Sequence, residues 1–242
     1  MMTYPALVSG TLLRRYKRFL ADVRLDSGED VVAHCPNTGS MKAVNVPGCR
    51  VWLSPSDNPK RKLAWTWEWI ALPQPEGGTA LASVHTGRAN GLVEAAINAC
   101  EIAPLADYRT LKREVKVGEA RLDFRLDDPE KGAAYVEVKQ VTLKEADGHG
   151  YFPDSVSARG TKHLATLAAL AQQGERAVLL FCVAHEGIAD VAPAAHIDPT
   201  YAAALSDAVQ AGVEVLAYGV TVTWQQSVPI AARLTRALPV RV

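Results

Sequence analysis

The sequence lacks the features that direct a chain into a membrane or out of the cell. Nothing in it approaches the run of about 18 apolar residues that a transmembrane helix needs. The longest clean apolar run, Ala177–Ala184, has the length of a strand. Met1–Leu20 contains no apolar block followed by a cleavage site, and its basic cluster comes after the apolar stretch. We therefore expect neither a membrane span nor a secretory signal.

Cysteine is scarce, and its spacing carries no motif. Cys35, Cys49, Cys100 and Cys182 show neither Cys-x-x-Cys nor Cys/His spacing. That scatter argues against a disulfide framework and against a zinc site, and it is typical of a protein of the reducing cytoplasm. We expect all four to be buried, chemically inert small hydrophobic residues.

Neither sign of charge is in excess over the whole chain. The 26 Lys and Arg balance the 26 Asp and Glu, which argues against an obvious polyanion binder and predicts modest, salt-sensitive binding at most. Residues 1–70 nevertheless carry ten Lys or Arg against six Asp or Glu, whereas residues 71–242 carry sixteen against twenty. This division favours nucleic-acid contact through the first part of the chain, with chance unevenness as the alternative.

The pattern of elements divides the chain near residue 85. Up to residue 84, short runs of β-forming residues are separated by turn sequences such as Asp26–Gly28 and Glu76–Gly78, which predicts a small β-barrel or sandwich. Over residues 85–242 the order becomes α-β-β-β-α-β-α-β, which predicts an α/β layered domain with a mixed sheet. The residues after Tyr218 show no clear pattern.

Two acidic residues and a lysine stand on two consecutive predicted strands of this second domain. Asp123 lies inside Arg121–Leu126. Glu137 and Lys139 lie two residues apart in Ala134–Val141, so the side chains of these two residues share one face of the strand. A lone Glu-x-Lys is most often an exposed pair on a strand edge. Two carboxylates can also hold Mg²⁺ or Mn²⁺, with the lysine orienting a water or stabilising developing charge.

The spacing of these residues within an αβββαβ order resembles the restriction-endonuclease-like PD-(D/E)xK superfamily. A fuller resemblance runs almost end to end: the chain is similar to the bacterial sugar fermentation stimulation protein family, SfsA. It rests on the segments Arg15–Val23, His34–Met41, Ser56–Lys62, Tyr135–Leu143, Phe152–Val156, Arg159–Leu164, His196–Pro199 and Gly212–Tyr218. The resemblance implies an N-terminal OB-like β-barrel, a nuclease-like second domain, non-specific DNA binding and a regulatory role in sugar, notably maltose, metabolism.

The chain departs from the family pattern in the helix before the first strand of the second domain. The family has a glutamate there that could supply a third acid to a metal site. In this sequence that position is Ala95, and Glu94 comes one residue earlier, about 100° around the helix. Asp123 and Glu137 would then form a minimal pair.

Three groups of basic residues are candidates for nucleic-acid contact. They are Arg15, Lys17 and Arg18, next to Tyr16 and Phe19; Lys60, Arg61 and Lys62, in a turn before Trp65, Trp67 and Trp69; and Arg159, Lys162 and His163, on the outer face of a helix predicted over Ser155–Gln173. Basic loops with aromatic residues suit backbone binding on a small barrel. The alternatives are a strand edge protected by charge, inward packing of the tryptophans, which we favour, and a solvated helix face.

Two further segments have both a functional and a structural interpretation. The loop His34–Met41 offers free backbone N–H groups for a phosphate, although a turn held by side-chain hydrogen bonds is favoured. Asp154 precedes the predicted helix and could cap it, which is favoured, or join the metal site.

The sequence thus predicts a two-domain α+β protein. An OB-like β-barrel spans residues 1–84, and a restriction-endonuclease-like α/β domain with a mixed central sheet spans residues 85–242. The expected function is DNA binding with Mg²⁺- or Mn²⁺-dependent phosphodiester hydrolysis at Asp123, Glu137 and Lys139. The alternative is a non-catalytic DNA-binding regulator that keeps the shape of the site.

Overall fold

The computed structural model describes all 242 residues of the chain. The first half contains the strands β1 (Met2–Thr3), β2 (Val8–Tyr16), β3 (Leu20–Leu25), β4 (Asp30–His34), β5 (Arg50–Pro55), β6 (Trp65–Pro73) and β7 (Thr79–Ser83). The second half contains α1 (Arg88–Asn98), β8 (Thr110–Val117), β9 (Ala120–Asp128), β10 (Gly132–Val141), β11 (Leu143–Lys144), β12 (Gly150–Phe152), α2 (Ala158–Gln172), β13 (Arg176–Val183), β14 (Val191–Pro193), α3 (Pro199–Gln210), β15 (Glu214–Gln225) and β16 (Val228–Ala237).

Strands β2 to β6 form the predicted barrel. Their order is β4-β3-β2-β5-β6, and a parallel pairing of Ala33 with Trp65 joins β4 to β6 and closes the ring, while β7 extends the sheet beyond β6. Alternate residues of each strand point inward, so that Leu12, Val23 and Val51 pack together in the barrel core. The short strands left a barrel and a sandwich open, and the closed ring decides for the barrel, as the family resemblance implied.

A β-bulge on β6 divides the tryptophans between two cores. Trp52 of β5 pairs with Trp69, but the next residue of β5 pairs with Trp67, so Glu68 is the extra residue on β6. Trp67 packs inside the barrel, whereas Trp52 and Trp69 pack in a core shared with the second domain. The predicted inward packing is confirmed for Trp67 and is wrong for Trp69, which the bulge turns out of the barrel into the shared core. Trp65 is only partly buried against the barrel core.

The second domain is built on a mixed seven-stranded sheet. Its order is β1-β16-β15-β13-β10-β9-β8, with β10, β13 and β15 parallel and the other neighbours antiparallel. In β13, Val178 and Leu180 pack on the side of α1, and Leu179 and Phe181 pack on the side of α2 and α3. Helices therefore cover both faces, which confirms the predicted α/β endonuclease-like layers. A small sheet of β11, β12 and β14 lies beside them.

Two features of the second sheet lie outside the predicted pattern. Residues after Tyr218 continue β15 and return as β16, although no strand was visible there in the sequence. The strand Met2–Thr3 pairs with β16, so the extreme N-terminus lies in the second sheet rather than in the barrel. The division at residues 1–84 places this strand with the barrel because a two-residue strand carries no recognisable pattern.

The cysteines are less uniformly buried than the sequence suggested. Cys35 and Cys182 are buried and Cys49 is half-buried, but Cys100 is exposed where the chain leaves α1. Burial alone raises the pKa of Cys182 to about 12. The expectation that all four are buried is therefore wrong for Cys100. No helix is both long and apolar enough to cross a membrane.

Candidate metal-dependent phosphodiesterase site

The candidate site lies where β9 and β10 separate. The pairing of the two strands ends at Phe124 and Val136, and Asp123 is the next residue on β9. Its Oδ2 accepts a hydrogen bond from the backbone N of Val138 at 2.7 Å, and its Oδ1 accepts one from Nδ2 of Asn90 at 2.7 Å. The carboxylate thus satisfies an N–H that the partner strand no longer pairs, and it is held in one orientation.

Glu137 is a buried carboxylate with one oxygen engaged and one without a partner. Its side chain is 3% exposed. Oε1 accepts from Nζ of Lys139 at 2.5 Å and contacts Nδ1 of His163. Oε2 is buried and has no hydrogen-bond partner. Because a buried anionic oxygen without a partner is costly, Oε2 is the candidate ligand atom of Glu137 for a cation.

The Glu137–Lys139 pair is therefore not an exposed pair on a strand edge. β10 is flanked by β9 and β13, and the side chain of Lys139 is only 15% exposed. Lys and Glu are rarely this buried unless they are paired. The structure brings Glu137 and Lys139 together as expected and adds His163, whose Nδ1 lies 3.4 Å from Nζ of Lys139.

His163 corrects one of the predicted nucleic-acid contacts. The sequence grouped it with Arg159 and Lys162 on the outer face of α2, but its side chain is 8% exposed and turned toward Glu137. The reason is its position next to Leu164, at the border between the apolar and polar faces of the helix. An imidazole in this position is engaged with the carboxylate and lies at the inner end of a cleft, not on the exposed face of the helix.

The buried phenol of Tyr201 also lies near this carboxylate. Burial, followed by the negative charges of Glu137 and Asp198, raises the pKa of Tyr201 well above its ordinary value. The hydroxyl therefore stays protonated, and it has no hydrogen-bond partner. A neutral donor near Glu137 was not visible in the sequence, because Tyr201 lies on α3, far along the chain from β10.

The donor set fits a hard divalent cation held by few protein ligands. Asp123 and Glu137 supply carboxylate oxygens, and Mg²⁺ commonly uses one or two carboxylates and keeps several waters. No group of three or more His, Cys, Asp or Glu side chains in the chain is arranged to hold a metal ion. Glu94 is not a third acid, because its carboxylate pairs with Arg113 at 3.2 Å on the surface. Asn90 of the same helix reaches Asp123 instead, as a hydrogen-bond donor.

Of the three basic residues at the first hairpin, two are exposed to solvent and one is hydrogen-bonded to the backbone. Lys17 and Arg18 are exposed in the turn between β2 and β3, with left-handed φ angles of 49° and 64°. Arg15 instead donates from Nη2 to three backbone carbonyls, those of Arg18, Asn37 and Gly39. Its guanidinium braces the loop after β4, so the predicted nucleic-acid contact through Arg15 is not available in this arrangement.

The second basic group borders a cleft of the barrel. Lys60, Arg61 and Lys62 are exposed in the turn before β6. Arg61 forms no ion pair, and its Nη1 donates to Oγ1 of Thr66 at 2.9 Å. Arg61 and Lys62 line this cleft together with two histidines, His34 and His85. Burial, and then the charge of Arg61, lowers the pKa of His34.

The third basic group borders a cleft that ends at the site. Arg159 and Lys162 are exposed, and with Arg121 and Thr166 they surround a cleft whose lining includes His163. Glu119 is the one acidic residue in this lining, so three cationic side chains face one carboxylate. Since His163 contacts Glu137, this cationic cleft lies one side chain away from the buried carboxylate. The sequence predicted the helix face but not Arg121, which comes from the start of β9.

The loop His34–Met41 joins the two domains beside the site. Oδ2 of Asp154 accepts from Oγ of Ser40 at 2.9 Å and from the backbone N of Met41 at 3.0 Å. A Cβ on Gly39 would approach the same carboxylate oxygen to 3.3 Å, which explains the small residue there. The favoured role of Asp154 as a helix cap is wrong. Ser157 caps α2 instead, accepting from the backbone N of Gly160.

Comparison with known protein families divides the chain into the same two domains. The family described as "SfsA N-terminal OB domain" matches residues 13–79, and "Sugar fermentation stimulation protein RE domain" matches residues 87–226. A "Sugar fermentation stimulation protein homolog" of Chromohalobacter salexigens is 67% identical over 99% of this chain and 94% of its own length. One of Shewanella sp. (strain MR-4) is 53% identical over 98% of both chains.

A solved structure agrees over the full length. Pyrococcus furiosus SfsA, determined in complex with Ca²⁺, is 29% identical and superposes with a TM-score of 0.85, covering 100% of this chain and 98% of that one. The three comparisons agree with one another: two family models match in chain order, relatives match over nearly the whole length, and a solved structure has the same fold. The chain belongs to the sugar fermentation stimulation protein (SfsA) family, with an N-terminal OB domain and a restriction-endonuclease-like domain.

Proposed function

We propose that the chain hydrolyses phosphodiester bonds of nucleic acid, with DNA as the first substrate to test, in a reaction that depends on Mg²⁺ or Mn²⁺. The observation that carries the proposal is the unpartnered, buried Oε2 of Glu137, next to Lys139 and at the point where β9 and β10 separate. A buried anionic oxygen without a partner calls for an explanation, and a ligand that supplies the missing contact is the one that this proposal adopts.

Each of the three side chains has a role that its surroundings support. Asp123 and Glu137 are the carboxylates that would hold the cation, Asp123 in an orientation fixed by Asn90 and by the backbone N of Val138. A bound divalent cation supplies a Lewis acid and lowers the pKa of a coordinated water. Lys139, with its charge held at Glu137, orients the attacking water or stabilises charge on the phosphate.

The exposed cations form the proposed path of the nucleic acid. Lys17 and Arg18 lie at the barrel hairpin, Lys60, Arg61 and Lys62 lie at the barrel cleft, and Arg159 and Lys162 lie at the cleft that ends at His163. Phosphate contacts of this kind supply affinity without reading sequence, and they weaken with salt. Arg15 and His163 are left out of this path, because both are engaged inside the protein.

The relative from Pyrococcus furiosus supports a divalent cation in this fold, since its structure is a complex with Ca²⁺. Calcium and magnesium both prefer oxygen ligands, and Ca²⁺ accepts more of them at longer distances. We propose that Asp123 and Glu137 bind Mg²⁺ or Mn²⁺ during the reaction.

A second candidate function is a non-catalytic DNA-binding regulator, as the family resemblance suggests for sugar metabolism. One observation favours it: three of the four oxygens of Asp123 and Glu137 already accept hydrogen bonds from Asn90, Val138, Lys139 or His163. These three oxygens need no metal ion to compensate their burial, and only Oε2 of Glu137 lacks a partner.

Cleavage and binding measured on the same variants separate the two functions. Labelled single- and double-stranded DNA and RNA are incubated with wild type, Glu137→Gln and Glu94→Gln, each with Mg²⁺ or Mn²⁺. Glu94→Gln is the matched control, since Glu94 is also paired with a cation but lies at the surface. Binding of the same polymers is followed by fluorescence anisotropy at low and physiological salt.

Loss of cleavage in Glu137→Gln alone, with binding kept in both variants, is the result expected of a metal-dependent nuclease. Equal cleavage by Glu137→Gln and wild type would overturn the assignment of the site. Salt-sensitive binding without cleavage of any polymer, in a wild type shown by calorimetry to bind the metal, would establish the non-catalytic function instead.

A further inference from the structure

A cavity lies between the two domains, next to Lys139 and away from the cationic cleft of α2. Its volume is about 220 Å³. Asn37 of the barrel loop and Thr86 of the connection to α1 form one side, and Lys139 and Gln140 of β10 form another. The cavity is thus formed jointly by the barrel loop and by β10, the strand that carries Glu137 and Lys139.

Part of the lining is apolar and aromatic. Leu143, Tyr151 and Phe152 form this part, and the ring of Phe152 is held in place by contacts with the rings of Phe181 and Tyr201. A rigid apolar surface with a few polar groups is the usual construction of a site for a flat, largely neutral organic group.

The charges of the lining argue against a second phosphate. Lys139 is the one cation, and its Nζ is already paired with Glu137. Asp154 also lines the cavity, with its carboxylate engaged by Ser40 and Met41. A phosphate in this space would face that carboxylate, whereas a neutral group would not be repelled.

Two amide side chains have hydrogen-bonding capacity left for such a group. Gln140 donates from Nε2 to the backbone O of Ser83 at 2.7 Å, but its Oε1 is buried without a partner. Asn37 uses Oδ1 to accept from the backbone N of Gly39 at 2.9 Å, which leaves its Nδ2 to donate. Two residues of the lining, Gln140 and Asn37, thus carry one acceptor and one donor that no other group of the protein uses, both on planar amides that match the edge of a nucleobase.

We propose that this cavity holds one unstacked nucleobase of the strand whose phosphodiester lies at Lys139. The inference rests on the proposed function and deepens it: the substrate must present an unpaired or displaced base beside the scissile bond. Single strands, ends and mispaired positions meet that requirement at the lowest cost, whereas a regular duplex must first lose a stacked pair. The OB-like barrel adjoins the same cavity through Asn37.

The test uses a single-stranded oligonucleotide whose cleavage position has been mapped with wild type. The nucleotide on each side of the cleaved bond is replaced in turn by an abasic residue, which keeps the phosphates and removes only the base. The same substrates are given to Gln140→Met, which keeps the length of the side chain and removes both the free acceptor and the donor to Ser83. Gln173→Met, an exposed position beyond α2, is the control.

Removal of the base on one side should lower kcat/KM by about tenfold or more, the usual effect of losing one bound base. Gln140→Met should slow cleavage of the intact substrate but not of that abasic one, and Gln173→Met should slow neither. Abasic substrates cleaved as fast as the intact one would overturn the base pocket while leaving the nuclease function in place.

If wild type cleaves no polymer, the proposed function fails and the cavity is decided by binding alone. Deoxyadenosine 5′-monophosphate and deoxyribose 5-phosphate are then titrated against wild type and Gln140→Met. Tighter binding of the nucleotide, lost in Gln140→Met, supports the base pocket. Equal binding of the two compounds by wild type overturns it.

Discussion

A buried ion pair joins the barrel to the first helix of the second domain, and its removal has a predictable cost. Glu68 of β6 is 1% exposed, and its carboxylate receives Nη2 of Arg88 at 2.6 Å and Nε at 3.0 Å. Oγ of Ser54 adds a hydrogen bond at 2.7 Å. Arg88 begins α1, the helix that carries Asn90 to Asp123, so this pair also supports the candidate site.

Arg88→Met keeps the apolar stem of the side chain and leaves the carboxylate of Glu68 buried with a single hydroxyl partner. Removing one member of a buried ion pair commonly costs about 3–5 kcal/mol. That corresponds to an unfolding equilibrium shifted by a factor on the order of 10² to 10³. The second substitution Glu68→Gln removes the stranded charge, so the double variant should recover a large part of the loss.

The chain provides a control of the same geometry at the surface. Arg24 binds Asp30 through Nε at 2.8 Å and Nη2 at 2.9 Å, but the two side chains are 58% and 55% exposed. Since exposed pairs contribute little, Arg24→Met should cost less than about 1 kcal/mol. The two arginines thus differ chiefly in burial.

Urea unfolding followed by tryptophan fluorescence and by circular dichroism gives the free energy of unfolding and tests whether the two domains unfold together. Fluorescence reports the surroundings of Trp67 and Trp69, on the same strand as Glu68. The reasoning is refuted if Arg88→Met costs no more than Arg24→Met. It is also refuted if adding Glu68→Gln destabilises the Arg88→Met protein further.

Three other perturbations have defined outcomes. Burial lowers the pKa of His185 from 6.5 to about 4, so between these pH values the unfolded chain binds a proton that the folded chain does not. The free energy of unfolding therefore falls as the pH drops from 6.5 to 4. In urea unfolding over this pH range His185→Asn should reduce that dependence, whereas His196→Asn, at an exposed histidine, should not. Cys100, the exposed cysteine, should react first with iodoacetamide in the folded protein, as peptide mass spectrometry would show; slower reaction than the other cysteines would contradict its placement. Asn90→Leu should weaken divalent-metal binding by about 10- to 100-fold in calorimetry, because it frees the carboxylate of Asp123; unchanged affinity would mean that this hydrogen bond does not position a ligand.

Local patterns in the sequence were sufficient for the architecture. The alternation of β-forming residues and turn sequences up to residue 84 predicted a small barrel or sandwich, because period-two burial is a local property of strands. The αβββαβ order predicted the layered sheet for the same reason. Asp123, Glu137 and Lys139 could be proposed because strand neighbours in sequence become neighbours in space. The strands β1 and β16 were missed, since their pairing depends on residues at opposite ends of the chain.

Contacts between distant elements were not predictable from the same patterns. His163 was assigned to the surface because helical periodicity gives a border residue no preference, and only the packing of α2 over β10 turns it to Glu137. Asp154 was assigned to a cap because it precedes a helix, but its partners Ser40 and Met41 come from the barrel. Arg15 was assigned to the surface because it lies in a basic run, but its guanidinium donates to backbone carbonyls of the loop after β4.

The sequence by itself determined the two domains, the strand that carries Glu137 and Lys139, and the family to which the chain belongs. Those depend on periodicity, spacing and turn chemistry, which act over a few residues. The tertiary structure alone decided which charges remain free and which are used internally, and it alone formed the cavity between Asn37 and Gln140. Burial and the pairing of polar groups depend on what every other segment of the chain brings to the same place.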